Sequence, residues 1–92
     1  MVTAIVLLNV RNDRINQVAQ KLVELDGVSE VYSVAGQYDL VAVLRCTGED
    51  QIASLITEKM LQAEGLISSE TLIAFRAFSQ HDLERMFSVG MD

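Results

Sequence analysis

The sequence contains no proline and no tryptophan, and it has one cysteine and no long hydrophobic run. One cysteine excludes an internal disulfide and a cysteine-rich metal cage, so we interpret Cys46 as a small apolar residue at a strand end. The first apolar stretch, Val2 to Leu8, is too short to cross a bilayer. No signal-peptide pattern opens the chain and no proline-rich linker divides it. We therefore expect a single cytoplasmic domain without a membrane segment.

Basic residues are also scarce. The 92 residues include 7 Lys and Arg against 13 Asp and Glu, which gives a formal net charge of −6. Phosphate backbones require clustered positive charge, so direct DNA or RNA binding is disfavoured. Half of the residues are apolar, which is more than a core of this size can bury. Because such an excess is usually hidden against copies of the same chain, we expect a homo-oligomer.

Hydrophobic patterns predict four strands and two helices in the order βαββαβ. The two helices carry apolar stripes at helical spacing, formed by Ile15, Val18, Ala19, Leu22 and Leu25, and by Ile52, Leu55, Ile56 and Met60. The strands are predicted at Val2 to Val10, Val28 to Ala35, Tyr38 to Arg45 and Leu66 to Phe78. The first and third strands are apolar on both faces, which is typical of strands buried on both sides.

Local signals predict where the helices begin and end. Asn12 or Asp13 can cap the first helix, and Gly27 follows it as a left-handed terminator. Thr47 and Asp50 have the spacing of a capping box for the second helix. The tail starts at Ser79 and is predicted to form a short helix or a solvated end.

This element order predicts an α+β fold, the ferredoxin-like βαββαβ sandwich, with both helices on one face of a four-stranded antiparallel sheet. Helices cover only one face, yet the first and third strands are apolar on both. The second face must therefore meet another sheet, and a chain this short can obtain that sheet only from another subunit. We expect a homodimer with facing sheets, a dimeric αβ-barrel arrangement, burying about 800 Å² per subunit.

The stretch "VAGQYDLVAVLR", residues 34–45, and the last strand "SSETLIAFRAF" resemble the effector-binding domain of the Lrp/AsnC (feast/famine) transcription regulators. The resemblance covers about residues 2–77, and we place the ligand-binding domain at 1–78 with the tail at 79–92. Full regulators of this family carry an N-terminal helix-turn-helix domain, whereas this sequence enters its first strand immediately. The chain is therefore similar to a stand-alone form of the module.

The resemblance implies dimers that assemble into rings, as octamers or decamers, with small amino acids bound in clefts between dimers. Gly36, Tyr38 and Asp39 of the hairpin turn would form one side of the cleft, and Ser69 and Thr71 of the last strand another. It implies no cofactor and no metal, and it makes full-length regulators of the family a candidate partner.

The residue chemistry suits a zwitterion. Gly36 permits close backbone approach, which exposes N–H groups to a carboxylate. Asp39 can accept a charge-assisted hydrogen bond from the ammonium group of the ligand. The hydroxyls of Ser69 and Thr71 can bind either the ammonium group or the carboxylate. Turn geometry alone also explains Gly36, and Asp39 is equally suited to accept a backbone N–H within the hairpin.

Two other functions stay open. Facing-sheet dimers of this fold also house small oxygenases and isomerases, but the predicted interior is aliphatic and offers no convergent acid–base set. A catalytic role for the sole histidine, His81, would need an acid–base partner, and Asp82 is the carboxylate next to it in sequence. Oligomerisation without any ligand is the third possibility.

Overall fold

The computed structural model describes residues 1–80, and its elements follow the predicted βαββαβ order. They are β1 (Val2–Val10), α1 (Ile15–Val23), β2 (Val28–Ser33), β3 (Leu40–Cys46), α2 (Glu49–Ser54) and β4 (Leu66–Ile73). A 3-10 turn (Asn12–Arg14) leads into α1. After α2 the chain continues through a π-helical turn (Leu55–Lys59) and a 3-10 turn (Met60–Gln62). The helix predicted to begin at Ser79, His81 included, lies outside the described residues except for its first two positions, and the boundary at residue 78 stays a prediction.

The four strands form one antiparallel sheet in the order β2-β3-β1-β4. On β1, Ala4 lies between Leu44 of β3 and Ile73 of β4. This is the predicted ferredoxin-like sheet, in which β1 and β3 are central and β2 and β4 are edges. No helix in residues 1–80 is long and apolar enough to cross a membrane.

The core lies between the helices and one face of the sheet. Alternate residues of the central strands are buried there, namely Ala4, Val6, Leu8 and Val10 of β1 and Leu40, Ala42 and Leu44 of β3. Both predicted helical stripes face them, with Val18, Leu22, Ile52, Leu55, Ile56 and Met60 buried. Burial of each such Leu or Ile side chain contributes about 1.5–3 kcal/mol to folding. Among the described residues the core contains no buried polar or charged side chain.

The π-helical turn sets the inner face of the second helical segment. The backbone N–H of Met60 donates to the carbonyls of both Ile56 and Leu55, which marks one wide turn in the helix. In an unbroken α-helix, Lys59 would follow Ile52, Leu55 and Ile56 on the inner face, because it lies four residues after Leu55. The wide turn instead buries Met60 completely and leaves Lys59 exposed.

Gly27 joins α1 to β2 in the left-handed conformation that its position predicts, with φ of +96°. A Cβ atom there would lie 2.9 Å from Cδ2 of Leu55 and 3.0 Å from Sγ of Cys46. Both conformation and space therefore require glycine. Cys46 is buried at the end of β3, as the sequence predicts.

Both predicted helix caps are wrong. The chain enters α1 through a 3-10 turn in which Arg14 N–H donates to the carbonyl of Arg11 at 2.9 Å, so neither Asn12 nor Asp13 stands at a capping position. At α2 the N-cap is Gly48, and its backbone is extended. Instead of the predicted capping box, the side-chain oxygen of Gln51 accepts the N–H of Thr47 at 3.0 Å.

Strand ends also differ from the prediction. β4 ends at Ile73 rather than Phe78 because its neighbour β1 begins at Val2, and the last contact is from Ala74 N–H to the carbonyl of Thr3 at 2.9 Å. Phe75 and Phe78, beyond that contact, are 97% and 82% exposed. The turn between β2 and β3 occupies residues 34–39, longer than the predicted Gly-Gln pair.

Candidate functional site

The turn between β2 and β3 is fastened to β1 by Asp39. The backbone N–H of Asp39 donates to the carbonyl of Leu8 at 2.9 Å. Its carboxylate oxygen Oδ2 accepts the N–H of Val10 at 2.8 Å, where the pairing of β1 with β4 shifts register after Asn9. Asp39 therefore has a structural role, but the N–H group that its carboxylate accepts belongs to β1 and not to the hairpin. The other carboxylate oxygen, Oδ1, makes no hydrogen bond to any residue in the described range.

Tyr38 joins the same turn to β4. Its hydroxyl donates to Oε2 of Glu70 at 2.5 Å. This hydrogen bond, followed by desolvation and by the negative charge of Glu70, raises the pKa of the Tyr38 hydroxyl above its ordinary value of 10.0. The hydroxyl thus stays protonated at neutral pH and acts as a donor. Tyr38 connects the two parts of the chain that the family resemblance assigns to the two sides of a cleft.

Ser69 and Thr71 lie on β4 opposite Leu8 and Val6 of β1. Residues paired directly across an antiparallel ladder share a face, so both hydroxyls stand on the helix-bearing side and Glu70 stands on the other. Both side chains are exposed. Neither hydroxyl makes a hydrogen bond to another residue of the described chain, which leaves both available to a ligand.

Gly36 lies at the exposed tip of the turn with φ of +136°. No heavy atom lies within 4 Å of the position that a Cβ would take, so conformation and not space calls for glycine. Between residues 35 and 38, no backbone N–H donates to a described residue. The turn therefore presents free donors at one end of the sheet.

The structure brings Tyr38, Asp39 and Ser69 to the end of the sheet where β1 finishes, because Asp39 and Ser69 flank Leu8 from opposite sides. Thr71 lies one step further along β4, and Gly36 lies apart at the tip. Sequence reasoning missed Glu70. The available signal was an acidic residue between two hydroxyl residues in one strand. Free N–H groups and carboxylate oxygens give this end of the sheet donors for an anion and acceptors for a cation.

The open face, the side of the sheet opposite the helices, is a second candidate surface. Its centre is apolar and consists of Ile5, Leu7, Val41, Val43 and Leu72, judged by strand register. Within residues 1–80 no helix lies over it, and Leu72 is 45% exposed.

Polar groups at the margin of the open face are already paired. Glu30 accepts the hydroxyl of Tyr32 at 2.6 Å and lies 3.6 Å from Arg45. The bond to Glu30 raises the pKa of Tyr32 above 10.0. Asn9 donates to Ser68 at 3.1 Å across the two strands. Paired groups lose less on burial than isolated ones, so this margin suits a contact surface.

Two grooves lie elsewhere on the molecule. One of about 570 Å³ lies beside Gly27, Cys46 and the start of α2, and one of about 480 Å³ lies between the helical segments. None of the predicted site residues lines either groove. In the described part of the chain, no three His, Cys, Asp or Glu side chains are grouped to hold a metal ion.

Comparison with known proteins agrees with this fold. The family profile described as the Lrp/AsnC ligand binding domain matches residues 3–83. The crystal structure of TTHA0845 from Thermus thermophilus superposes with a TM-score of 0.81 at 41% identity and covers 87% of this chain and 100% of that one. Transcriptional regulator NMB0573 from Neisseria meningitidis, solved as a complex with L-Met, superposes with a TM-score of 0.77 at 12% identity, over 86% of this chain and 53% of that one. The last likeness shows the fold alone.

Among curated proteins, the HTH-type transcriptional regulator FL11 of Pyrococcus furiosus is 25% identical over 79 residues, which is 86% of this chain and 52% of the regulator. An HTH-type regulator from the same organism matches over 39% of its own length. The chain thus spans about half the length, or less, of these curated relatives, and both are named as transcriptional regulators. Because the matched profile covers residues 3–83, most of the chain, the chain belongs to the Lrp/AsnC ligand-binding domain family.

Proposed function

We propose that the chain is a non-enzymatic module that senses a free amino acid and transmits binding through its oligomeric assembly. The observation that carries this proposal is the pair of contacts Tyr38–Glu70 and Asp39–Val10. The first joins the turn to β4 and the second joins the turn to the end of β1, so both hold the turn at one end of the sheet. An ammonium group there meets carboxylate oxygens, and a carboxylate meets the free N–H groups of the turn.

In this proposal the cleft is completed by a second dimer. The predicted residues lie on an exposed surface in the single chain, whereas small-molecule sites usually enclose most of their ligand. The apolar open face supports facing-sheet dimers, and octamers or decamers of such dimers would bring two copies of the turn and β4 together. Full-length regulators of the same family are proposed as partners that co-assemble with the module.

Regulation is placed ahead of catalysis for two reasons. The space between helices and sheet contains no buried polar side chain in the described chain, so it offers no general acid or base. The curated relatives are named as transcriptional regulators. The L-Met complex of the Neisseria protein supports an amino acid as the ligand class.

Thermal denaturation with a panel of the twenty amino acids tests the proposal. At least one should stabilise the protein, because a ligand present at 100 times its Kd adds about 2.7 kcal/mol. Thr71→Val keeps the shape of the side chain and removes its hydroxyl, so it should weaken that stabilisation. Thr47→Val, at the opposite end of the sheet, is the matched control. No stabilisation by any of the twenty would leave oligomerisation or protein binding as the function.

A further inference from the structure

The groove between the helical segments has an unusual charge for this protein. It lies on the helix side of the sheet, with Lys21 of α1 on one side and Lys59 of the π-helical turn on the other. These are the only two lysines in the sequence, and both line this groove. Arg14 also lines it. The groove therefore has three of the seven Lys and Arg residues of a chain whose net charge is −6.

Only one acidic residue lines the groove. Glu64 pairs with Arg14 at 3.3 Å, while neither lysine forms an ion pair with any residue between 1 and 80. Three positive side chains against one negative side chain give the lining a net charge of +2. Cations gathered in a concave surface repel one another and raise the local concentration of anions. An occupant with two negative charges would neutralise the lining.

The floor of the groove is apolar. Leu25 and Ala63 are partly buried and contact the core. The groove measures about 480 Å³, within the range of about 300–1,000 Å³ that is usual for small-molecule sites. An occupant therefore needs an apolar middle between its charged ends.

We propose that this groove binds an aliphatic dicarboxylate. One carboxylate lies beside Lys21 and the other beside Lys59, and the methylene chain between them contacts Leu25 and Ala63. Each ammonium group supplies three donors and no acceptor, which suits a carboxylate. A free amino acid without a charged side chain has no net charge and does not match the groove. The site is thus separate from the amino-acid site in both place and ligand class.

Titration of the ¹⁵N-labelled full chain with glutarate at low salt tests this site. Saturable amide shifts are expected within residues 17–25 and 59–64. Lys21→Gln and Lys59→Gln should each weaken binding by up to about fivefold, as for an exposed ion pair. Arg76→Gln removes the same charge outside both grooves and should leave the affinity unchanged. Pentanoate, which has one carboxylate on a chain of the same length, should also bind more weakly.

Other outcomes overturn the proposal. Absence of saturable shifts up to the solubility limit of glutarate excludes the site. If Arg76→Gln lowers the affinity for glutarate as much as the lysine variants do, binding depends only on the net charge of the protein. Shifts confined to residues 35–39 would show that the dicarboxylate binds at the hairpin turn and not in the groove. The amino-acid proposal would still be decided by the thermal denaturation panel. Equal affinity for pentanoate excludes the two-carboxylate assignment.

Discussion

The carboxylate of Asp39 stabilises the fold through one oxygen, and its other oxygen is available to a ligand. Its oxygen Oδ2 accepts the N–H of Val10, which is 29 residues away in sequence. A hydrogen bond to an ionised acceptor is stronger than one between neutral groups. Because Oδ1 is free of described partners, Asp39 can hold the turn and still offer an acceptor to a ligand.

At this scale we predict that Asp39→Ala destabilises the protein by about 1–2 kcal/mol, because the N–H of Val10 loses its acceptor. Asp39→Asn keeps an uncharged oxygen in the same place and should recover part of that loss. The midpoint of urea unfolding measures both effects. Equal midpoints for the alanine variant and the natural protein would show that the bond does not contribute.

The sequence offered five candidate site residues but not the contacts that two of them, Tyr38 and Asp39, make in the fold. Tyr38 and Glu70 are 32 residues apart, and their contact depends on how β1 separates the turn from β4. Spacing along the chain does not encode that distance. For Asp39, turn chemistry predicted a backbone donor within its own hairpin as one of two open interpretations, whereas the N–H that its carboxylate accepts belongs to Val10 of β1.

At the scale of elements, hydrophobic patterns predicted the four strands and two helices found within residues 1–80, and strand register places Leu72 and Ile73 on opposite faces of the sheet. Element ends were less predictable. β4 could extend only as far as β1 offered hydrogen-bond partners, and that limit belongs to the neighbour's sequence. The cap predicted at Asn12 or Asp13 was wrong because these residues form a 3-10 turn that precedes α1.

Two glycines with positive φ should respond differently to alanine. Gly27→Ala combines backbone strain with contacts at 2.9 Å and 3.0 Å, so we expect a loss of about 2–4 kcal/mol. Gly36→Ala meets no atom within 4 Å and should lose only about 1–2 kcal/mol from backbone strain. Chemical denaturation of the two variants side by side measures the difference. A larger loss at Gly36 would contradict the tight contact of Gly27 with Leu55 and Cys46.

At the scale of the whole molecule, the open face is the surface through which we propose that copies of the chain associate. Its apolar centre and paired margin resemble an interface with a dry core and a polar rim. The face lies on the other side of the sheet from the groove that contains the two lysines. Contacts through the sheets would therefore leave that groove accessible.

Val43→Asp should break the proposed facing-sheet dimer, because each copy would bury an unpaired carboxylate at a cost of about 3 kcal/mol or more. Val23→Asp introduces the same change on α1, where Val23 is 47% exposed, and should leave the assembly intact. Sedimentation velocity distinguishes the two variants. A natural protein that sediments as a monomer would remove the facing-sheet arrangement altogether.

The burial of Cys46 gives the molecule a built-in reporter of its own fluctuations. The chain has one thiol, and that side chain is 8% exposed, with its sulfur packed beside Gly27. Although Cys46 borders a groove, a bulky disulfide reagent should react slowly with this sulfur while the end of β3 stays packed against the loop before β2, and faster when the two separate. Labelling kinetics therefore measure how often this corner opens, and their dependence on denaturant separates local opening from unfolding of the whole sheet.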